Sequence, residues 1–271
     1  MKNYLSINSV IPSFNKVINV PGDKSLSIRW VLLASQAIGK SKAYNLLESD
    51  DVISAMVSMR KLGVEILKRR GYYEVNGVGL SGFKHKNNLN LNAGNSGTFA
   101  RLLCGTLAGN TKNVKVTGDS SLSKRDFSRI VKPLKLFGIN IKTKKHKLPI
   151  TIKGTKYLRP IFYNEDKGSA QVKSTILLAS LNTPGQTIVK SKISRNHTEL
   201  MFKNCLKIPL KLKKYKNYEI IKVEGKKNYK GFDYKIPGDI SSAAFFIALT
   251  ILANKSRLKM KNVNYNKSRI G

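Results

Sequence analysis

Val31-Leu32-Leu33-Ala34-Ser35-Gln36-Ala37-Ile38-Gly39-Lys40-Ser41-Lys42-Ala43-Tyr44-Asn45-Leu46-Leu47 reads as the end of an apolar helix, a short polar turn and a β-rich strand. The same pattern returns three times. Leu102-Leu103 through Leu107-Ala108 leads past Gly109-Asn110 into Val114-Lys115-Val116-Thr117. Ile176-Leu177-Leu178-Ala179 leads past Pro184-Gly185 into Thr187-Ile188-Val189. Ile247-Ala248 through Leu252-Ala253 leads past Asn254-Lys255 into Leu258-Lys259-Met260. The Leu-Ala pairs recur roughly every 70–75 residues, longer than a solenoid period, so each unit is a small multi-element module.

A second helix-turn-strand echo follows in three of the units. Met56 to Leu62 leads into Gly63-Val64-Glu65-Ile66, Ile130 to Phe137 into Gly138-Ile139-Asn140-Ile141, and Leu200 to Leu206 into Lys207-Ile208-Pro209-Leu210. Gly63 and Gly138 suit a left-handed C-cap. Ile53, Met56 and Val57, and Ile130, Val131 and Leu134, have amphipathic helix spacing. Each unit reads strand-helix-strand-helix-strand, with room for one further strand. Three units from Pro21 to Phe232 predict one α/β domain of helices packed on sheets. A fourth unit starts at Lys235-Ile236-Pro237-Gly238 and reaches Gly271 without its second helix, so the expectation is a carboxy-terminally truncated chain.

With 271 residues, 41% of them hydrophobic and 24% charged, the chain has the composition of a folded globular protein. The apolar runs are too short for a membrane span, and Met1 to Asn8 carry no signal-peptide core, which makes the cytoplasm the default. Cys104 and Cys205 have no metal spacing and read as plain buried thiols. His85, His146 and His197 are scattered, and neither a metal nor a cofactor is expected. The net charge of +35 invites a nucleic-acid reading. Its lysines are spread along the whole chain, and no basic run is interleaved with aromatics as a stacking platform would require. No nucleic acid or membrane partner is expected, and most of these cations read as solvated surface.

Five polar junctions could carry chemistry, and most lie where a strand passes into a helix. In Pro21-Gly22-Asp23-Lys24-Ser25-Leu26-Ser27-Ile28-Arg29, Ser25 or Ser27 can cap the helix while Lys24 and Arg29 add cations. An ordinary capped helix reads equally well there. Asn92-Ala93-Gly94-Asn95-Ser96-Gly97-Thr98, followed by Arg101, makes a flexible, donor-rich turn before an apolar helix, but not a P-loop. Gly118 to Asp126 reads as a polar loop holding Lys124 and Arg125. In Ser169-Ala170-Gln171-Val172-Lys173-Ser174, Ser169 is a good cap, and Gln171 and Lys173 could point at a ligand. Ser194-Arg195-Asn196-His197-Thr198-Glu199 resembles a capping box, and a lone His197 is more often structural than catalytic. For each of the last four, a plain structural turn is the simpler account of that junction alone. Together, equivalent repeat positions predict several helix N-termini on one face, which would draw a polyanionic small ligand.

These motifs, with Pro237-Gly238-Asp239-Ile240-Ser241-Ser242-Ala243-Ala244-Phe245-Phe246, resemble in order and over the whole chain the EPSP synthase family of enolpyruvyl transferases. The Ser-Ala-Gln-Val-Lys-Ser and His-Thr-Glu forms look like that family's second bacterial class. The resemblance implies two domains of three βαβαββ units each. Residues 21–232 would form the complete one, and residues 1–20 with 233–271 part of the other. It implies enolpyruvyl transfer from phosphoenolpyruvate to the 5-hydroxyl of shikimate-3-phosphate with release of phosphate, by a monomer without cofactor. Lys24, Ser25 and Arg29 would hold shikimate-3-phosphate, and Lys24 would also face phosphoenolpyruvate. Gly97 and Arg125 would line the phosphoenolpyruvate site beside Asn95 and Thr98. Ser169, Ala170 and Gln171 would contact the phosphorylated ring and its phosphate, Gln171 would also reach phosphoenolpyruvate, and Ser194 and Arg195 would lie near the substrate phosphate. Lys24 and Arg125 are the catalytic candidates, because the family's principal acid and base would lie beyond Gly271. Departures at Asp126, Asn196 and Asn92 weaken the loop assignments. The competing readings are a UDP-N-acetylglucosamine enolpyruvyl transferase, whose usual loop cysteine is absent from Gly118 to Asp126, and an RNA-terminal cyclase-like protein.

Overall fold

The computed structural model describes residues 11–270, so the expectation for residues 1–10 and Gly271 lies outside the described residues. A strand β1 (Asn15–Asn19) precedes the first unit, α1 (Lys24–Gln36), β2 (Ile38–Tyr44), α2 (Asp50–Lys61), β3 (Glu65–Arg69) and β4 (Tyr72–Val78). The second unit is β5 (Leu89–Asn92), α3 (Gly97–Thr106), β6 (Val114–Thr117), α4 (Ser120–Lys124), α5 (Ser128–Leu136), β7 (Asn140–Lys144) and β8 (Lys147–Lys153). The third is β9 (Phe162–Glu165), α6 (Ala170–Leu181), β10 (Gln186–Lys192), α7 (His197–Asn204), β11 (Leu210–Lys214) and β12 (Tyr218–Glu224). The chain goes on through β13 (Tyr234–Lys235), α8 (Ile240–Leu252) and β14 (Arg257–Lys261).

Three four-stranded sheets repeat one plan, in the orders β13-β2-β4-β3, β5-β6-β8-β7 and β9-β10-β12-β11. In each, the first two strands are parallel and the rest antiparallel. The room left for a further strand is filled by β4, β8 and β12. The first unit borrows its opening strand from the far side of the third: Tyr234 lies opposite Ala43 and Lys235 opposite Tyr44. The chain's return after residue 232 therefore completes the first sheet.

The first helix of each unit forms the interior. Eleven of the thirteen α1 residues are buried. In α6 the number is ten of twelve. That is why these segments are apolar all round rather than on one stripe. Gly105 of α3 lets α6 approach closely, since a Cβ there would lie 2.3 Å from the Thr175 carbonyl oxygen. This crossing places the N-termini of α3 and α6 side by side. The second helices are more exposed. In α2 the inward face is Val52, Ala55, Met56 and Met59, while Ile53 and Val57 are each 42% exposed. The spacing picked out from sequence is thus the neighbouring stripe; both are apolar, and only packing selects one. The expected loop from Gly118 to Asp126 contains α4, because the Asp119 side chain accepts from Leu122 N at 2.7 Å.

Outside the three units, β1 pairs in parallel with β14. Helix α8 buries only Ala243 and leaves Phe245, Ile251 and Leu252 exposed. The chain crosses between the two regions twice, and the crossings bond to each other. Asp23 N donates to Pro237 O and Asp239 N to Pro21 O, both at 2.8 Å. Gly22 is required there because a Cβ would lie 2.0 Å from the Asn45 carbonyl oxygen. The edge strand β11 carries Lys211, Lys213 and Lys214, which discourage pairing with another chain. Just beyond it, aromatics and cations do interleave, contrary to the sequence expectation. Tyr215 and Tyr218 stack at 4.5 Å, and Lys213 and Lys190 lie over their rings.

Candidate active site

Helix α1 begins at Lys24, and its cap is Asp23 rather than Ser25 or Ser27. The buried Asp23 carboxylate accepts from Leu26 N at 3.0 Å. Its short, acceptor-only side chain fits the N-cap position, while Ser27 turns inward and donates to Asp23 O at 2.8 Å. A second carboxylate, Asp239, accepts from Lys24 N at 3.2 Å. Protein carboxylates therefore occupy the amides expected to bind an anion. What α1 offers outward is the half-exposed Lys24 ammonium, paired with Asp51 at 2.9 Å, and the Ser25 hydroxyl. Arg29, one turn on, is 4% exposed. Its Nε donates to Thr198 Oγ1 at 2.9 Å, Nη1 to Ser25 O at 2.9 Å and Nη2 to Ser174 Oγ at 3.0 Å. Thr198 in turn donates to Ser174 at 2.8 Å. Burial pulls the Arg29 pKa down to about 10, opposed by the charges of Glu199 and Asp23.

A second cluster joins α3, α6 and the segment after α4. Ser96 caps α3, accepting from Phe99 N at 3.3 Å. Arg101 donates to Gly97 O at 3.2 Å, to Gln171 Oε1 at 3.0 Å and to Asp126 O at 2.8 Å, and it lies over the Phe127 ring. Gln171 donates back to Thr98 Oγ1 at 2.9 Å. Asn95 bridges Asp119 at 2.6 Å and Arg125 at 2.9 Å. Hydrogen bonds from Asn95 and Leu122 hold the Asp119 carboxyl below its usual range. Gly97 lies against two guanidinium groups: a Cβ would stand 2.8 Å from Arg101 Nη1 and 3.1 Å from Arg125 Nη1.

Ser169 caps α6 as expected, accepting from Val172 N at 3.4 Å. Ala170 and Gln171 follow in its first turn, whose amides lack intrahelical acceptors. Lys173 does not face a ligand. It is fully buried, with Nζ 2.7 Å from Glu199 Oε1 and 2.5 Å from Glu219 Oε1. The capping box at Ser194 is likewise absent. Asn196 occupies the α7 cap without a side-chain bond to the helix amides, and Glu199 turns inward to Lys173. Arg195 is exposed, and the Ser194 hydroxyl is buried without a partner. His197 is 2% exposed, and burial with Arg29, Arg269 and Arg195 nearby lowers its pKa to about 3. It is a neutral, structural histidine.

Helix α6 links the two clusters, and cationic groups stand at four of the junctions. Arg29 joins α1, α6 and α7, while Arg101 and Gln171 join α3, α6 and the Arg125 segment. Asn264, Asn266, Ser268 and Arg269 brace Asp23, Asn196 and Asp239. Asn264 donates to Asp23 at 3.1 Å, Asn266 and Ser268 each donate to Asn196 at 2.9 Å, and Arg269 donates to Asp239 at 2.7 Å. Sequence reasoning misses Thr198, Ser174 and this brace, because their partners lie up to 241 residues away. Arg101 is visible one turn into its helix, but nothing local promotes it.

A sequence-family profile described as EPSP synthase (3-phosphoshikimate 1-carboxyvinyltransferase) matches residues 11–271. The chain belongs to the EPSP synthase family. Among curated relatives, the 3-phosphoshikimate 1-carboxyvinyltransferase of Streptococcus mutans is 39% identical over 260 residues, covering 94% of this chain and 59% of that protein. The protein of the same name from Endomicrobium trichonymphae is 42% identical over 257 residues, covering 94% and 59%. A solved EPSP synthase from Acinetobacter baumannii superposes with a TM-score of 0.84 at 36% identity, covering 95% of this chain and 58% of that one. The fold is thus the enolpyruvyl-transferase fold. The chain spans about three-fifths of the length of the relatives it matches.

Proposed function

We propose that this chain supplies the shikimate-3-phosphate and phosphoenolpyruvate half-site for transfer of the enolpyruvyl group to the 5-hydroxyl, with release of phosphate. The reading assigns Lys24, Ser25, Arg29, Ser169, Ala170, Gln171, Ser194 and Arg195 to shikimate-3-phosphate. Lys24, Asn95, Gly97, Thr98 and Arg125 are assigned to phosphoenolpyruvate. In this division residues 21–232 are the complete domain and residues 1–20 with 233–271 belong to its companion, β13 being the strand that the second segment adds to the first sheet. The supporting observation is the Arg29 guanidinium, held by three elements from within so that two of its five N–H groups remain for an anion. A positioned guanidinium suits a planar or tetrahedral oxyanion. Lys24 and Arg125, both on the exposed side, would clamp the phosphate and carboxylate of phosphoenolpyruvate and stabilise charge as the tetrahedral intermediate forms. A nucleotide-sugar acceptor is not favoured, since the relatives carry the phosphoshikimate name.

Titration calorimetry of shikimate-3-phosphate into the chain tests this. Arg29→Ala is expected to weaken binding by at least about tenfold, the loss of one charge-assisted contact. Undiminished affinity in Arg29→Ala and in Lys24→Ala would refute the assignment.

A further inference from the structure

Arg29 belongs to a buried cluster of four ionisable side chains: Arg29, Glu199, Lys173 and Glu219 are 4%, 3%, 0% and 1% exposed. Lys173 of α6 stands between Glu199 of α7 at 2.7 Å and Glu219 of β12 at 2.5 Å. Burying such a group is costly, and apolar side chains in place of the whole cluster would often fill the space as stably. Stability alone therefore gives no reason for a lysine here.

The position of the cluster gives one. Ser174, the neighbour of Lys173, accepts from Arg29 Nη2. Thr198, the neighbour of Glu199, accepts from Arg29 Nε. The two hydroxyls bond to each other at 2.8 Å. Each helix thus presents a charged side chain and, one residue away, a hydroxyl on Arg29. Helix backbones are stiff, so a slip of α7 along α6 that lengthened the Lys173–Glu199 contact would also part Ser174 from Thr198. The guanidinium would then lose two of its three acceptors and keep only the Ser25 carbonyl of its own helix. A hydrophobic contact at 173 would tolerate such a slip, because dispersion has no preferred direction.

We infer that Lys173 is a positioning residue: its contact with Glu199 holds α6 and α7 at the one register in which Ser174 and Thr198 orient Arg29 toward its ligand. The inference rests on the ligand role proposed for Arg29, but the positioning itself is measurable without a ligand. It differs from the sequence expectation, in which Lys173 reaches the ligand directly.

The test compares E219Q with K173M/E219Q, both in the 271-residue chain. E219Q keeps the Lys173–Glu199 contact. K173M/E219Q removes one cation and one anion, so the buried net charge stays that of the unmodified cluster. Two quantities are read: the solvent exchange rate of the Arg29 Nε–H by 15N NMR, assigned with Arg29→Lys, and the Kd for shikimate-3-phosphate. E219Q is expected to match the unmodified chain in both. K173M/E219Q is expected to exchange at least about tenfold faster and to bind about tenfold more weakly, a loss of about 1.4 kcal/mol. Unchanged exchange and Kd with only a lower melting temperature would make Lys173 a core residue and overturn the inference. If the Met variant does not fold, K173L/E219Q, which likewise has no donor facing Glu199, takes its place, and the same two results support or overturn the inference. A ligand affinity insensitive to Arg29→Ala would instead sink the functional reading while leaving the exchange result to decide the positioning.

Discussion

Arg29, Gly97 and His197 occupy motifs that look alike in sequence, yet each is governed by a different neighbour. Gly97 is held small by Arg101 and Arg125, whose Nη1 atoms would lie 2.8 and 3.1 Å from an added Cβ. Gly97→Ala is therefore expected to push both guanidinium groups aside. Phosphoenolpyruvate binding in the presence of shikimate-3-phosphate should weaken about tenfold, with shikimate-3-phosphate affinity within about twofold, as read by competition calorimetry. His197 acts on stability. Its pKa falls from 6.5 to about 3 in the folded chain, chiefly through burial. Below about pH 6.5 the unfolded chain takes up a proton that the folded chain refuses, so stability falls with pH until about pH 3. His197→Leu is expected to make the slope of unfolding free energy between pH 6 and 4 shallower by up to about one proton, measured by urea titration. Asp23 is nearer the start of α1 than Ser25 or Ser27, the two caps expected from sequence. Its role as cap is legible from residue type; its hydrogen bond from Asn264 and its ion pair with Arg269 at 3.4 Å are not.

At the scale of elements, the repeat is the readable part. Helix-turn-strand patterns locate α1, α3, α6 and α8, because long apolar runs mark helices with little polar face. Shorter elements stay hidden. Helix α4 has five residues, and β13 has two and is defined only by its pairing with β2. The α7 cap departs from its sequence pattern because Glu199 turns inward to an ion pair with the buried Lys173. The α3–α6 crossing carries its own prediction. A Cβ at Gly105 would collide with backbone, which cannot swing away as a side chain can. Gly105→Ala is expected to lower the urea midpoint, costing about 3 kcal/mol without a change in the slope m. Because that crossing sets Thr98 beside Gln171, the same variant should also weaken ligand binding.

Across the whole molecule, the returning strand β13 completes the first of the three sheets, while α8 stands apart. Phe245, Ile251 and Leu252 of α8 are 80%, 78% and 84% exposed, a larger apolar face than soluble surfaces usually carry. The chain is expected to bind anilinonaphthalene sulfonate in its native state, and Phe245→Ser with Ile251→Ser and Leu252→Ser should remove most of that fluorescence while the melting temperature changes little. Unaltered dye binding would place the apolar surface elsewhere. The sequence by itself determined the repeated α/β plan, the family and the junctions at which cations gather, because periodicity, capping residues and motif order are local properties of the chain. Only the tertiary structure decided that Asp23 and Asp239 fill the end of α1, that Lys173 turns inward to Glu199 and Glu219, and that Arg29 is gripped by Ser174 and Thr198. Those choices depend on which charged groups are buried together, and burial is settled by contacts between segments far apart in the chain. The repeated helix entries thus told where an anion site could be built, and the packing of α6 and α7 around Arg29 told how it is held.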